Sequence, residues 1–152
     1  QYVRLMQARF PGALAWEVVL APGVEDVLVP SMALQPLVEN AVRHGALATR
    51  GAGRVQLTAS IVRAGAGEAL ELRLHDDGPG LAAGGAAPGE GTGLSATRTR
   101  LALLHGARGE LEARNAPEGG FDVVMRLPAR RHAARTEDAV GAEAAAHAGH
   151  GR

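Results

Sequence analysis

RVQLTASIVRAGAGEALELRLHDDGPG, residues 54 to 80, is the stretch that decides the fold. Val55, Leu57, Ala59 and Ile61 alternate with Gln56, Thr58 and Ser60. After the turn-like AGAGEA the alternation resumes, with Leu70, Leu72 and Leu74 against Glu71, Arg73 and His75. Successive strand side chains point to opposite faces, so a period of two on both sides of a Gly-rich turn predicts an antiparallel hairpin with one buried face. A second hairpin is predicted from ELEAR (110–114) and FDVVMRL (121–127) across NAPEGG, with Leu111, Ala113, Phe121, Val123, Met125 and Leu127 as its apolar side. WEVVL, 16–20, predicts a fifth strand.

Helical patterns lie between these strands. One covers 31–45, with Ser31 as N-cap and Gly45 as its C-terminal stop. Pro36 either opens the regular part of that helix or kinks it one turn in. Within LVENAVRHG (37–45), Leu37, Val38, Ala41 and Val42 share one side, which leaves Glu39, Asn40, Arg43 and His44 on the other. A second helix is predicted over 93–105, where Leu94, Leu101 and Leu104 fit the period, and YVRLMQARF reads as the end of a third. One-faced sheets need cover, and helices with apolar stripes supply it. The fold expected is an α/β (α+β) two-layer sandwich: a mixed, largely antiparallel sheet of about five strands, covered on one face by helices.

Composition bounds the rest. The 152 residues suffice for one domain with a proper core. Aromatic residues are only 3%, so Leu, Val and Ala must build that core. Acidic and basic residues balance at 16 each, which argues against nucleic-acid binding or membrane-surface attachment through bulk charge. All 16 basic residues are Arg. With no cysteine, disulfides, zinc–thiolate sites and cysteine nucleophiles are excluded. No apolar run approaches the roughly 20 residues of a membrane span, and no signal peptide is visible, so a soluble chain is expected. It opens on Gln1 rather than Met, as a piece of a longer protein would.

Two segments belong to neither layer. From Gly78 to Gly93 the chain carries seven glycines and two prolines, long for a passive connection and a candidate binding loop or lid. From about 129 onward the Ala-rich tail lacks large apolar residues and reads as disordered or transiently helical. Its His132, His147 and His150 are too scattered to read as metal ligands.

DDGPG (76–80) follows the strand that ends in Leu74. An Asp there, with two glycines spaced one apart, puts a fixed acceptor beside backbone that a ligand can approach; a plain turn has the same composition. GTGL (91–94) sets a Gly pair before a helix, whose free N–H groups suit a phosphate, although it is also an ordinary helix entry. GTGLSA and GPGLAA both satisfy G-x-G-x-x-A, yet neither sits in a parallel βαβ unit, and no G-x-x-x-x-G-K-[ST] is present. Both common nucleotide folds therefore fail on context.

An E-N pair on a helix, D-x-G-x-G after a strand and G-x-G-L opening a helix, in that order, resemble the N, G1 and G2 boxes of the GHKL ATPases, which include histidine kinases, MutL-type repair ATPases and heat-shock chaperones. VPSMALQPLVENAVRHG, DDGPGL and GTGLSATRTRLALLHG are similar to the LytS-type sensor histidine kinases, and YVRLMQARF to the last turn of their dimerisation region. The resemblance covers about residues 2 to 128. It implies residues 1–11 as the end of a dimerisation and phosphoacceptor region, 12–128 as the ATPase domain with an ATP lid at 82–92, and 129–152 as tail. It implies Asn40 as the ligand of a Mg²⁺ that bridges ATP phosphates, and Glu39 as general base or polarising group. Arg43 and His44 would lie near the phosphates, Asp76 would accept from the adenine amine, and Gly78 and Gly80 would let backbone pass close to the base. Gly91, Thr92, Gly93 and Leu94 would wrap the phosphates.

The implied partners are a phosphoacceptor His segment, a response-regulator receiver domain and a second copy in a full-length homodimer, with no nucleic acid and no direct membrane contact in these residues. The implied location is cytoplasmic, with membrane anchoring elsewhere in the full-length protein. Two positions depart from the pattern: Ala96 stands where LytS-type kinases usually have Asn, and Phe121 where a Thr is common. None of the six histidines matches the family's P-H-F phosphoacceptor context. The function expected is the ATP-binding catalytic domain of a two-component sensor histidine kinase. A nucleotide-binding sensor or scaffold without kinase activity, or another GHKL enzyme such as an anti-sigma serine kinase, are the alternatives.

Overall fold

The computed structural model describes residues 2–30, 33–48, 52–65, 67–81 and 92–131. Its elements in order are α1 (Tyr2–Arg9), β1 (Leu14–Leu20), α2 (Gln35–Asn40) running into a π-helical turn (Ala41–Ala46), β2 (Gly53–Ala64), β3 (Gly67–Asp76), α3 (Thr92–His105), a 3-10 turn (Gly106–Arg108), β4 (Glu110–Asn115) and β5 (Phe121–Pro128). The five strands form one sheet in the order β1-β2-β3-β5-β4. Both predicted hairpins are present, β2 with β3 and β4 with β5, and β3 joins them by pairing antiparallel with β5. Only β1 is parallel to its neighbour β2, so the sheet is mixed and largely antiparallel as expected.

The alternation carries the core. Val55, Leu57, Ala59, Leu70, Leu72, Leu74, Leu111, Val123, Met125 and Leu127 are buried on the face toward the helices, with Leu37, Val38, Ala41, Val42, Leu94 and Leu101 opposite them. At roughly 1.5–3 kcal/mol for each fully buried large aliphatic side chain, this one layer is the main source of stability. Ile61 is only partly buried, packed against the edge of this core. Leu104, expected inward, is 52% exposed. The fifth strand starts at Leu14, two residues before WEVVL, and its Val18, Val19 and Leu20 are exposed on the edge of the sheet.

The bare face is held by charge. Arg73 donates to Asp122 at 2.8 Å and to Glu118 at 2.9 Å, and His75 Nδ1 lies 2.9 Å from the other Asp122 oxygen. Arg126 meets Glu71 at 2.7 Å and Glu112 at 3.3 Å. Asp122 is 1% exposed. Burial would push its carboxyl up, but the bonds from Arg73 and His75 outweigh that and hold it below the usual range. After β5, Ala129 N–H bonds the Glu68 carbonyl, the Arg130 carbonyl accepts from Leu28 N–H, and Arg131 bridges to Val27.

Pro36 stands in the first turn of α2, so it opens the helix and does not kink it. Ser31, the expected N-cap, lies outside the described residues, as do 82–91 of the lid expected over 82–92 and 132–152 of the tail expected over 129–152; Thr92 opens α3, and 129–131 are held by the bonds given above. Gly45 is not the stop expected of it. The chain stays helical through Ala46, widened so that Leu47 N–H bonds the Val42 carbonyl, and Gly45 has no positive φ. Its role is close approach to Asp76.

Candidate functional site

Asp76 is the last residue of β3, on the helix-side face, at the end of the sheet where the α2 helix also finishes. It is 3% exposed. A Cβ on Gly45 would lie inside the Asp76 carboxylate, and one on Gly78 would overlap the Gly45 backbone. On the other side, a Cβ on Gly120, which has φ +82°, would overlap the Asp76 carbonyl. Three glycines from three segments thus let backbone close around one acid.

The loop after Asp76 is fixed by hydrogen bonds. Gly78 N–H donates to Asp76 Oδ1 at 3.1 Å. Asp77 accepts from Arg54 N–H at 2.7 Å, and its own N–H reaches the Arg54 carbonyl at 3.2 Å. Asn115 Oδ1 accepts from Leu81 N–H at 2.7 Å while its Nδ2 donates to the Leu81 carbonyl at 2.9 Å. Gly80 has φ +64°, and its side-chain position is taken by Asn115 Oδ1.

Burial pushes the Asp76 carboxyl up to about 6, against the opposing pull of the Gly78 N–H and of His75. Neither cross-strand neighbour adds a polar group to help: Asp76 pairs with Val55 on β2 and with Phe121 on β5, both buried. Phe121 pairs in turn with Asn115. Directly opposed residues share a face, so Asp76, Phe121 and Asn115 form one line across β3, β5 and β4. A carboxylate held in an apolar, backbone-lined recess, ionised at neutral pH, can accept hydrogen bonds from a buried ligand amine.

The other predicted residues lie on the helix over 35–46 and at the start of α3. Asn40 is half-buried and His44 exposed, one residue before Ala41 and Gly45 respectively. Glu39 and Arg43 turn instead toward α1, lining an open cleft of about 490 Å³ with Met6, Arg9, Phe10 and Leu47. Glu39 Oε1 accepts from Gln35 Nε2 at 2.8 Å. Leu94 is buried in the core, and Gly93 lies in the first turn of α3 with its carbonyl bonded by Thr97 Oγ1 at 2.9 Å. Gly93, Ala96 and Thr97 share a cleft of about 160 Å³ with Ala33, Pro36, Leu101 and Leu104, so the first turn of α2 lies along α3. Thr92 is the first residue of α3; Gly91 lies outside the described residues.

Three contributors to the recess escape a reading of the sequence. Gly45 has the pattern of a helix stop, Gly120 that of a turn glycine, and Asn115 has no pattern at all. The Gly-Gly pair at 119–120 does carry a signal, since both adopt positive φ. Asn115, one of several polar residues near a turn, carries none.

Comparison with known proteins places these features in a family. Residues 25–131 match the model of the histidine kinase-, DNA gyrase B- and HSP90-like ATPases. The sensor protein LytS of Oceanobacillus iheyensis is 31% identical over an alignment of 143 residues that covers 85% of this chain and 23% of that protein. The chain spans about a quarter of the length of the curated relatives it matches. Among solved structures, the blue-light activated histidine kinase of Erythrobacter litoralis EL346 aligns with a TM-score of 0.63 at 25% identity, covering 84% of this chain and 39% of that one. The mycobacterial sensor histidine kinase MprB aligns at 0.58 and 25%, covering 86% and 91%.

Proposed function

The chain belongs to the histidine kinase-, DNA gyrase B- and HSP90-like ATPases, and from that premise we propose that it is the catalytic domain of a two-component sensor histidine kinase, with its adenine site at Asp76. The observation that supports this most is the buried Asp76 carboxylate enclosed by Gly45, Gly78 and Gly120. Asp76 would accept from the exocyclic amine of adenine. Guanine presents a carbonyl there, and a carboxylate facing it would be left unpaired in a dry recess, so ATP is selected. Gly78 and Gly80 form the wall beside the base. The phosphates would run toward the start of α3, where the backbone N–H groups of Gly91, Thr92, Gly93 and Leu94 would wrap them, with His44 nearby; Arg43, which lines the cleft against α1, would stand apart from them.

A Mg²⁺ carried by the phosphates would take the Asn40 amide oxygen as its protein ligand and would neutralise charge on the phosphates. Glu39 faces α1, the side from which a phosphoacceptor histidine of a dimerisation helix would approach, and it would polarise that imidazole. The γ-phosphoryl group would pass to this histidine, releasing ADP, and then to an aspartate of a response regulator. Most of the rate would come from positioning and charge neutralisation. A second copy of the full-length protein would be the dimer partner. No helix among the described residues is long and apolar enough to cross a membrane.

Phe121 beside Asp76, and Ala96 in the cleft next to Gly93, favour one rival: a module that binds nucleotide without transferring phosphate. Calorimetric titration with ATP and Mg²⁺, beside GTP and an Asp76→Ala variant, tests the site. ATP should bind and GTP hardly at all, with roughly a tenfold to hundredfold loss for the variant. Folded protein that binds neither nucleotide would sink the reading. Binding without phosphotransfer in a longer form of the protein that carries the acceptor histidine would favour the rival.

A further inference from the structure

Asn115 closes the line that Asp76 opens. Its side-chain amide grips Leu81 at both polar atoms of one residue, Oδ1 taking the N–H at 2.7 Å and Nδ2 giving to the carbonyl at 2.9 Å. That is how a neighbouring strand would pair, supplied here by one side chain that ties the end of β4 directly to the Asp76–Leu81 loop. The tie sits where the backbone most needs one. Gly80 turns with φ +64°, and Asn115 Oδ1 fills the space a side chain there would occupy. At its other end the loop is locked by Arg54 on Asp77 and by Gly45 and Gly120 packed around Asp76. Without Asn115, the stretch from Gly78 to Leu81 keeps its first anchor and the packing of the Leu81 side chain on the core, but no hydrogen bond that fixes its backbone at the far end.

The geometry points to Asn115 as a positioning residue of the nucleotide site: it holds Gly80 and Leu81 so that the wall beside the base keeps its place relative to Asp76. This rests on the reading of Asp76 as the adenine acceptor. Asn115 is exposed and stands at the end of a strand, with no part in the hydrophobic core. Its effect should therefore fall on nucleotide affinity far more than on folding. Asn also matches the task chemically, since it alone among short side chains of this reach offers both an acceptor and a donor on one planar group.

The experiment is ATP·Mg²⁺ titration by calorimetry of wild type, Asn115→Ala, Asn115→Asp and Arg114→Ala, with urea unfolding of each protein free of nucleotide. Arg114 is the adjacent residue on the opposite face, an exposed partner of Glu112 at 3.7 Å. The expected result is a three- to tenfold weakening for Asn115→Ala, about the worth of one or two modest hydrogen bonds. Asn115→Asp keeps the acceptor for Leu81 N–H but sets a carboxylate oxygen against the Leu81 carbonyl, so it should bind no better than Asn115→Ala. Arg114→Ala should bind as wild type, and the unfolding midpoints of the Asn115 variants should stay close to it. Asn115→Ala binding ATP within twofold of wild type would overturn the role of Asn115 and leave the Asp76 reading intact. An unfolding midpoint that falls in proportion to the affinity would also overturn it, making Asn115 a structural residue. Wild type that binds no ATP would overturn both together.

Discussion

Asp76 is a residue whose environment works against it until a ligand arrives. Its pKa rises to about 6 from an ordinary 3.8 because burial penalises the charge more than the Gly78 N–H repays. That difference corresponds to at most about 3 kcal/mol of strain carried by the ionised form at neutral pH. Asp76→Asn keeps the shape and the acceptor for Gly78 N–H but removes the charge. At pH 7.5 the nucleotide-free variant should therefore unfold at higher urea than wild type, while ATP binds at least about tenfold more weakly, since an amide can turn a donor toward the adenine amine. A variant both less stable and equally good at binding ATP would show that Asp76 is merely structural. The motif D-x-G-x-G made this residue legible in the sequence. It did not reveal Phe121 as the β5 neighbour of Asp76, because that depends on the register of two strands separated by the whole of α3.

At the scale of elements, local periodicity sets the limit of legibility. Strands β2 to β5 were readable because helices cover only one face of the sheet, so Leu70, Leu72 and Leu74 alternate strictly with charged residues. The parallel pairing of β1 and the π-helical turn were not readable, since both are imposed by contacts with distant residues. Gly45 shows the consequence. Ala for Gly within a helix ordinarily stabilises by roughly 0.5–1 kcal/mol, and a reading of Gly45 as part of a helix would predict that gain. Here the added methyl would fall inside the Asp76 carboxylate. Gly45→Ala should instead destabilise by roughly 1–3 kcal/mol, the range for overpacking a tight interior, and should abolish ATP binding. Urea unfolding decides by its sign: a midpoint above wild type would mean that the helix and β3 do not approach this closely.

For the whole molecule the two buried acids have opposite consequences on the two faces of one sheet. Asp122, held low by Arg73 and His75, contributes stability at neutral pH that is lost only as acid protonates it, below the ordinary carboxylate range. Asp76 is raised, so between about 3.8 and 6 the folded state binds more protons than the unfolded one, and stability falls as pH rises through that window. From pH 5 to 7.5 this one group should lower the stability of nucleotide-free protein by about 1 kcal/mol. Other groups titrate over the same range, but they are shared by Asp76→Asn, so the difference between wild type and variant isolates the effect. Bound ATP changes the sign of the problem, because an adenine amine donates to the ionised form and draws the Asp76 pKa down. Affinity should then weaken about tenfold from pH 7 to pH 5 as the free protein takes up the competing proton. With ATP·Mg²⁺ at saturation the excess slope of wild type over Asp76→Asn should disappear. The measurement is a set of urea unfolding curves at pH 5, 6 and 7.5 for both proteins, with and without nucleotide. A wild-type slope that persists under saturating ATP would mean that the nucleotide does not meet the Asp76 carboxylate, and the base would have to be sought elsewhere.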